Sequence, residues 1–464
     1  MRLESLHFDV TRFRHFDIVI VASGAIYVAA GAWAMSNLKY DIWGTFLAVP
    51  VIAAILGPLI AIAFRSAPDI ARVLYVGLAI KGLGTIARYW VAFDAYGGLA
   101  DSQAYHDFGR VYAEKIRTGD VPPWGLVPHG QGTNFVEHLT GAIYTLTGSS
   151  KMAGFMWFSA LGFGGMILCI KAVTIAAPNV AHHRYALLCC LCPSLVFWPS
   201  SVGKESWMSL SFGVMTLGIA KLFATPALLR PLLLTVLGAV GTLVVRPHIA
   251  AVWIAAAVAA VIWRVVGRRT GASKSRATSV IVMLVGMIGL VAVGRVALQF
   301  LGEEDQTVSV SSQLNNAFDL TLRRTAGGGS EFSPPSVASP VDYPFAVLRT
   351  ITRPLLHEVT GLSTMLPAIE TTAIIILAAF GFRRLMALPG ALRRSPFVVF
   401  HLLVVVMGAL AYSSFSNLAI LVRQRSLLMP SLIVILCLHP WTERVLPTPG
   451  EAQAAELARR SVPA

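Results

Sequence analysis

Apolar runs close to the length of a membrane crossing recur along this chain, and they leave few folds open. A helix needs about 20 apolar residues to cross the hydrocarbon core of a bilayer. Such runs lie at about 17–36, 45–64, 73–92, 152–176, 185–200, 207–223, 231–245, 249–266, 279–299, 366–382, 396–413 and 417–439. The runs at 185–200, 231–245 and 417–439 are short or interrupted by polar groups, which fits broken or re-entrant helices. In hydrocarbon every backbone polar group must be satisfied within the protein, which favours helices. The fold class read from this pattern is an all-α polytopic membrane protein of about twelve transmembrane helices. With 56% of 464 residues apolar and 13% charged, little is left for a soluble domain. A water-soluble enzyme, a disordered chain and a nucleic-acid-binding module are poor fits to such a composition.

Charge orients the chain. The net charge of +14 and pI near 9.9 would suggest nucleic acid in a soluble protein. Here the basic residues fall mainly in loops, so the positive-inside rule accounts for them and no nucleic-acid partner is expected. Three basic segments carry the orientation: Arg2, Arg12 and Arg14 at the start; Arg264, Arg268, Arg269, Lys274 and Arg276; and Arg383, Arg384, Arg393 and Arg394. Twelve spans put all three on the cytoplasmic side, together with both termini. The run at 18–35 is too long for a signal-peptide core and reads as an uncleaved first span. The chain then forms one transmembrane domain, 1–440, with a cytoplasmic tail at 441–464. Two long segments, about 93–151 and 301–367, lie outside.

Within the first outer segment, Tyr105, Phe108, Tyr112 and Ile116 recur at helical spacing between Asp101 and Arg117. This predicts a helix, either flat in the membrane interface or packed on the ends of the spans. In the second, Gly327–Ser330 and Ser333–Ser336 are low-complexity and read as mobile. Cys169, Cys189, Cys190, Cys192 and Cys437 all lie in apolar runs. Cys189 and Cys192 have CxxC spacing without a second ligand pair, so neither zinc nor disulfides are expected. No metal ligand set and no cofactor are read, although a divalent ion would have a place if Asp101 and Glu205 converged.

The same topology gathers ionisable residues at the outer face: Asp101, Lys204, Glu205, Arg246, His248, Arg353, Glu358, Arg423 and Arg425. Positive-inside predicts few arginines there. Arginine stays charged when desolvated and offers a fork matched to phosphate oxygens, so a lipid-linked phosphate or diphosphate suits the cluster. A carboxylate among Asp101, Glu205 and Glu358 would serve as general base. Plainer roles compete: Asp101 as a helix cap, Lys204–Glu205 as a structural ion pair, His248 as an interface histidine, and Arg423 and Arg425 reaching lipid phosphates. Tyr89, Trp90 and Trp198 read as interface anchors, and His401 as a helix–helix hydrogen bond.

Four short elements resemble those of bacterial membrane glycosyltransferases. Asp101-Ser102-Gln103-Ala104-Tyr105-His106 resembles the Asp-x-x-x-Tyr-His element that opens the first large outer loop of multi-spanning GT-C enzymes. Pro193-Ser194-Leu195-Val196-Phe197-Trp198-Pro199-Ser200, with Gly203-Lys204-Glu205, is similar to a Pro-Ser-x-x-Phe-Trp-Ser-Ser…Lys-Glu element of membrane proteins encoded near polysaccharide gene sets. Arg353-Pro354-Leu355-Leu356-His357-Glu358 with Leu366-Pro367-Ala368-Ile369-Glu370, and Arg423-Gln424-Arg425 with Pro430, resemble two further elements of those proteins. Pro199 stands where the pattern has Ser, Leu355-Leu356-His357 replaces aromatic residues, and Asp101 follows the third span where well-described GT-C enzymes place their acid after the first.

The resemblance implies a GT-C-like fold and an inverting glycosyltransferase of the bacterial plasma membrane. It would move a sugar from a polyprenyl phosphate or diphosphate to an acceptor hydroxyl on a glycan or lipid, at the outer leaflet, in envelope polysaccharide or glycolipid assembly. In this reading Asp101 is the base, and Glu205 and Glu358 orient a clamp of Lys204, Arg246, Arg353, Arg423 and Arg425. Tyr105, His106, His248 and His357 line the substrate site. An O-antigen-type polymerase or ligase, in which His357 matters more, remains an alternative. So do a transporter or flippase of lipid-linked sugars and a structural subunit of an export machine.

Overall fold

The computed structural model describes residues 10–98, 100–267, 280, 283–284, 286–291, 319–327, 330–335, 337, 339–359 and 361–440. Most of the expected span at 279–299, residues 301–318 of the second outer segment, residues 268–276 of one basic segment and the tail at 441–464 lie outside the described residues. Among the described residues every named element is helical, and pairing of strand type is limited to two isolated bridges, Val180–Leu438 and Glu331–Asn417.

The helices run in order α1 (Val10–Asn37), α2 (Tyr40–Trp43), α3 (Thr45–Ala63), α4 (Pro68–Trp90), α5 (Asp101–Thr118), α6 (Thr133–Thr147), α7 (Lys151–Ala176), α8 (His182–Leu191), α9 (Pro193–Phe197), α10 (Lys204–Ala224), α11 (Leu229–Leu243) and α12 (Pro247–Gly267). They continue as α13 (Tyr343–Ile351), α14 (Leu362–Phe380), α15 (Phe382–Leu385), α16 (Leu388–Arg394), α17 (Pro396–Tyr412), α18 (Leu418–Arg425) and α19 (Met429–Leu436). Among the described residues, six stretches are long and apolar enough to cross a membrane: Tyr40–Ala63, Pro68–Ala95, Lys151–Ala176, Lys204–Ala224, Pro247–Val266 and Leu418–Leu436. A seventh is made if Thr364–Phe380 and Phe382–Arg394, bent by 75°, count as one. The expected runs at 231–245 and 396–413 form the shorter helices Leu229–Leu243 and Pro396–Tyr412.

The run at 185–200 is broken, as its prolines require. Cys192 is extended and Pro193 opens α9 at a position where its missing N–H is no loss. The carbonyls freed at the end of α9 are capped by a buried lysine: Lys81 Nζ donates to Leu195 O at 2.7 Å and Val196 O at 3.3 Å. The run at 417–439 is also interrupted, by a 3-10 turn at Ser426–Leu428.

Small residues let the central helices touch. A side chain on Gly165 of α7 would collide with the Ser209 backbone of α10, and one on Gly213 with the Gly165 backbone. Lipid tails are as apolar as leucine, so close backbone approach of this kind supplies the packing that holds helices together in a bilayer. Trp253, Phe212 and Phe400 fill the core beside them. His401 shares a 2.9 Å hydrogen bond with Ser431, joining α17 to α19 as a helix–helix contact.

Two expectations change. The helix over 101–117 exists, but its buried face is Ser102, Tyr105, His106, Gly109 and Ala113, packed on α6 around Thr140 and Gly141. Phe108 is left exposed, so the aromatic stripe is not one continuous docking face. The low-complexity stretch is also tied down where it is described. Ser330 O accepts from Leu418 N at 2.9 Å, Phe332 N donates to Ser416 O at 2.9 Å, and Asn417 Nδ2 donates to Gly327 O at 2.5 Å. Asn417 caps α18 at the same time, so one polar side chain fixes both segments.

Candidate functional site

The site is built on helix ends. Residues 198–203 leave the helical path, and α10 restarts at Lys204, which puts Glu205 in its first turn. Unpaired N–H groups and the positive end of the helix dipole favour an anion there. Glu205 is 2% exposed. It accepts from Arg246 Nη2 at 2.8 Å and from Arg423 Nε and Nη2 at 2.7 and 3.0 Å, a two-pronged contact matched to the carboxylate plane. Arg246 stands immediately before Pro247, the first residue of α12, and its Nη1 donates to Gln424 Oε1 at 2.6 Å. Arg423 Nη1 reaches Asp101 Oδ2 at 3.2 Å. Four segments far apart in sequence therefore meet in one network.

Asp101 does not cap α5. The capping position is Ala100, without a side-chain bond, and the Asp101 side chain is 63% exposed against Arg423. Nor do Lys204 and Glu205 pair with each other: Lys204 Nζ donates to Thr133 Oγ1 at 3.1 Å. The Thr133 hydroxyl also bonds Tyr105, whose phenol is pushed up to about 12 by burial first and then by the charge of Asp101 and Glu205. His106 turns away, with Nδ1 2.9 Å from the Tyr144 hydroxyl, and burial holds its pKa down to about 4.

Arg423 and Arg425 serve different clusters because residues two apart on a helix point about 200° apart. Arg425 is wholly buried, so it does not reach lipid phosphates. It meets Glu370 Oε1 at 3.4 Å, donates to Ile351 O at 2.9 Å and to Arg353 O, while Glu370 accepts from Ser194 N at 2.5 Å and Ser194 Oγ at 2.7 Å. Arg353 pairs with Glu358 at 2.9 Å, and Glu358 also accepts from Leu355 N at 2.8 Å. Hence Arg353, Glu358 and Arg425 stand in contacts separate from Glu205. His357 is exposed on the turn at 356–358, and His248 is half-buried in the first turn of α12. Trp198, expected as an interface anchor, stacks against Arg88.

Arg88 and Thr133 are the participants that sequence reasoning missed, and Glu370 and Gln424 stood in the quoted elements without an assigned role. Arg88 carried the clearest signal, an ionisable residue inside the apolar run at 73–92. In charge, the carboxylates of Glu205 and Asp101 face Arg246, Arg423, Lys204 and Arg88, all within electrostatic reach, so cations are in excess. Glu205 spends its lone pairs on two arginines, whereas Asp101 keeps access to solvent. Such an arrangement suits an incoming anion together with a proton acceptor. Among the described residues no group of three or more His, Cys, Asp or Glu side chains is placed to hold a metal ion. Comparison with protein-family models, curated proteins and solved structures finds no match for the chain.

Proposed function

We propose that this chain is a membrane glycosyltransferase, GT-C-like and inverting, that moves a sugar from a polyprenyl phosphate or diphosphate to an acceptor hydroxyl. In this reading twelve helices cross a bacterial plasma membrane, both termini are cytoplasmic, and the Glu205 network faces outward. The observation that carries the reading is the convergence of Asp101, Glu205, Arg246 and Arg423 at one end of a helical bundle.

The chemistry is a single displacement. Asp101 takes the acceptor's proton as its oxygen bonds to the anomeric carbon, and the bond from that carbon to the phosphate oxygen breaks with its electron pair. Arg246, Arg423 and Lys204 oppose the charge that gathers on the departing phosphate. Glu205 positions the two arginines and touches no substrate. A phosphate is a good enough leaving group to depart without a general acid.

The test is release of lipid phosphate or diphosphate by the full chain in nanodiscs, with a panel of polyprenyl-linked sugars and an acceptor present. Release should fall by about 10²–10⁴ in Asp101→Asn and persist in His357→Ala. The opposite pattern would favour the polymerase or ligase. Saturable binding without release from any donor would overturn the transferase in favour of a carrier.

A further inference from the structure

The arginines of the Glu205 network are already matched by carboxylates, whereas Arg88 is not. Arg88 is 9% exposed, and among the described residues it makes no ion pair. Its Nε has no hydrogen-bond partner. The guanidinium rests instead on two rings, 5.0 Å from the Phe197 centroid and 5.1 Å from that of Trp198. Ring faces stabilise a desolvated cation but leave its N–H donors unused. These groups line a cavity of about 290 Å³ whose other walls include Trp90, Pro193 and Met365 and are almost wholly apolar. Ser194, the residue that holds Glu370, also lines it.

We infer that this cavity binds an anionic lipid, with a phosphate ester on Arg88 and the first part of an isoprenoid or acyl chain along the apolar walls. A buried guanidinium with unused donors calls for an oxyanion, and phosphate suits its fork. The apolar lining calls for a chain attached to that anion, because a free ion would leave the walls unmatched. Arg88 also lies within electrostatic reach of Arg423, Glu205 and Asp101, so a phosphate here feels the charge of the network that carries the proposed chemistry. The inference deepens the transferase reading by locating the donor's phosphate, and it rests on that reading for this assignment alone.

The test measures binding with no acceptor present, which separates it from any failure of chemistry. The full chain is held in nanodiscs of neutral phosphatidylcholine and titrated with farnesyl phosphate, with farnesol and inorganic phosphate as competitors. Farnesyl phosphate should bind saturably, and neither competitor should displace it at equal concentration. Arg88→Gln should weaken binding at least tenfold, and Arg88→Lys by less. Met365→Trp, which fills the cavity while leaving Arg88 in place, should weaken it as much as Arg88→Gln and covers the case where that variant fails to fold. Unchanged affinity in Arg88→Gln or Met365→Trp, or no saturable binding to the wild type, overturns the site. Displacement by inorganic phosphate alone overturns the lipid and leaves an ion site.

Discussion

At one end of the bundle, Lys171, Arg264 and Arg384 each donate to a backbone carbonyl: Ala63 O at 2.6 Å, Leu222 O at 2.8 Å and Leu438 O at 3.0 Å. At the other, Arg246 and Arg423 share the carboxylate of Glu205. The ends are well separated, because Glu205 and Leu222 lie on one helix at about 1.5 Å per residue. At the first end the cations meet helix C-termini, where unpaired carbonyls and the negative end of the dipole favour them. At the second they meet the starts of α10 and α12, where the dipole repels them. Arg246 and Arg423 are held there by the buried carboxylate of Glu205, with Gln424 and the exposed Asp101 as further partners, and Lys204 is held by Thr133. One end uses cations to finish helices, while at the other cations outnumber carboxylates.

The largest effect expected from breaking this contrast is at Glu205. Glu205→Ala leaves two arginines without their carboxylate, and removing one partner of a buried pair typically destabilises by about 3–5 kcal/mol. Thermal melting in detergent should fall sharply and lipid-phosphate release should vanish with it. Asp101→Asn separates the roles. Release should drop by about 10²–10⁴, the usual scale for a lost general base, with little change in melting because the Arg423–Asp101 pair is exposed. A parallel loss of stability would make Asp101 structural instead.

At the opposite end, Lys171→Met should cost about 1.5–3 kcal/mol, the scale of a hydrogen bond from a charged group, and leave release unchanged. A drop in release would mean the two ends are coupled.

The smallest effect concerns acid. His106 is held near pKa 4 in the folded chain against an ordinary 6.5, so below 6.5 the unfolded chain binds the proton more readily. Stability should therefore fall between pH 6.5 and 4 and be flat above, by about 1.4 kcal/mol per pH unit at most. His106→Gln should flatten that slope, as read from melting at pH 5 and pH 7.5.

Much of the fold was legible because membrane helices obey hydropathy. Thr45–Ala63, Lys151–Ala176 and Lys204–Ala224 lie within a few residues of the runs read from sequence. The short, interrupted apolar run marked the break at 185–200, and the spacing of Tyr105, Phe108, Tyr112 and Ile116 marked the helix between Asp101 and Arg117. Less was legible in the site. Asp101, Glu205, Arg246 and Arg423 could be placed at one face by counting spans. Counting could not pair Lys204 with Thr133, send Arg425 to Glu370 or keep Glu358 with Arg353.

Sequence by itself determined that the chain builds apolar helices and that its charges divide between their ends. Both follow from local rules: hydrocarbon requires self-satisfied backbone, and charge avoids it. Tertiary structure decided which charges neutralise one another. Partnership across 218 residues, as between Glu205 and Arg423, depends on how helices pack rather than on anything near either residue. The same packing left Arg88 on two aromatic rings beside an apolar cavity, a cation without an ion-pair partner among the described residues.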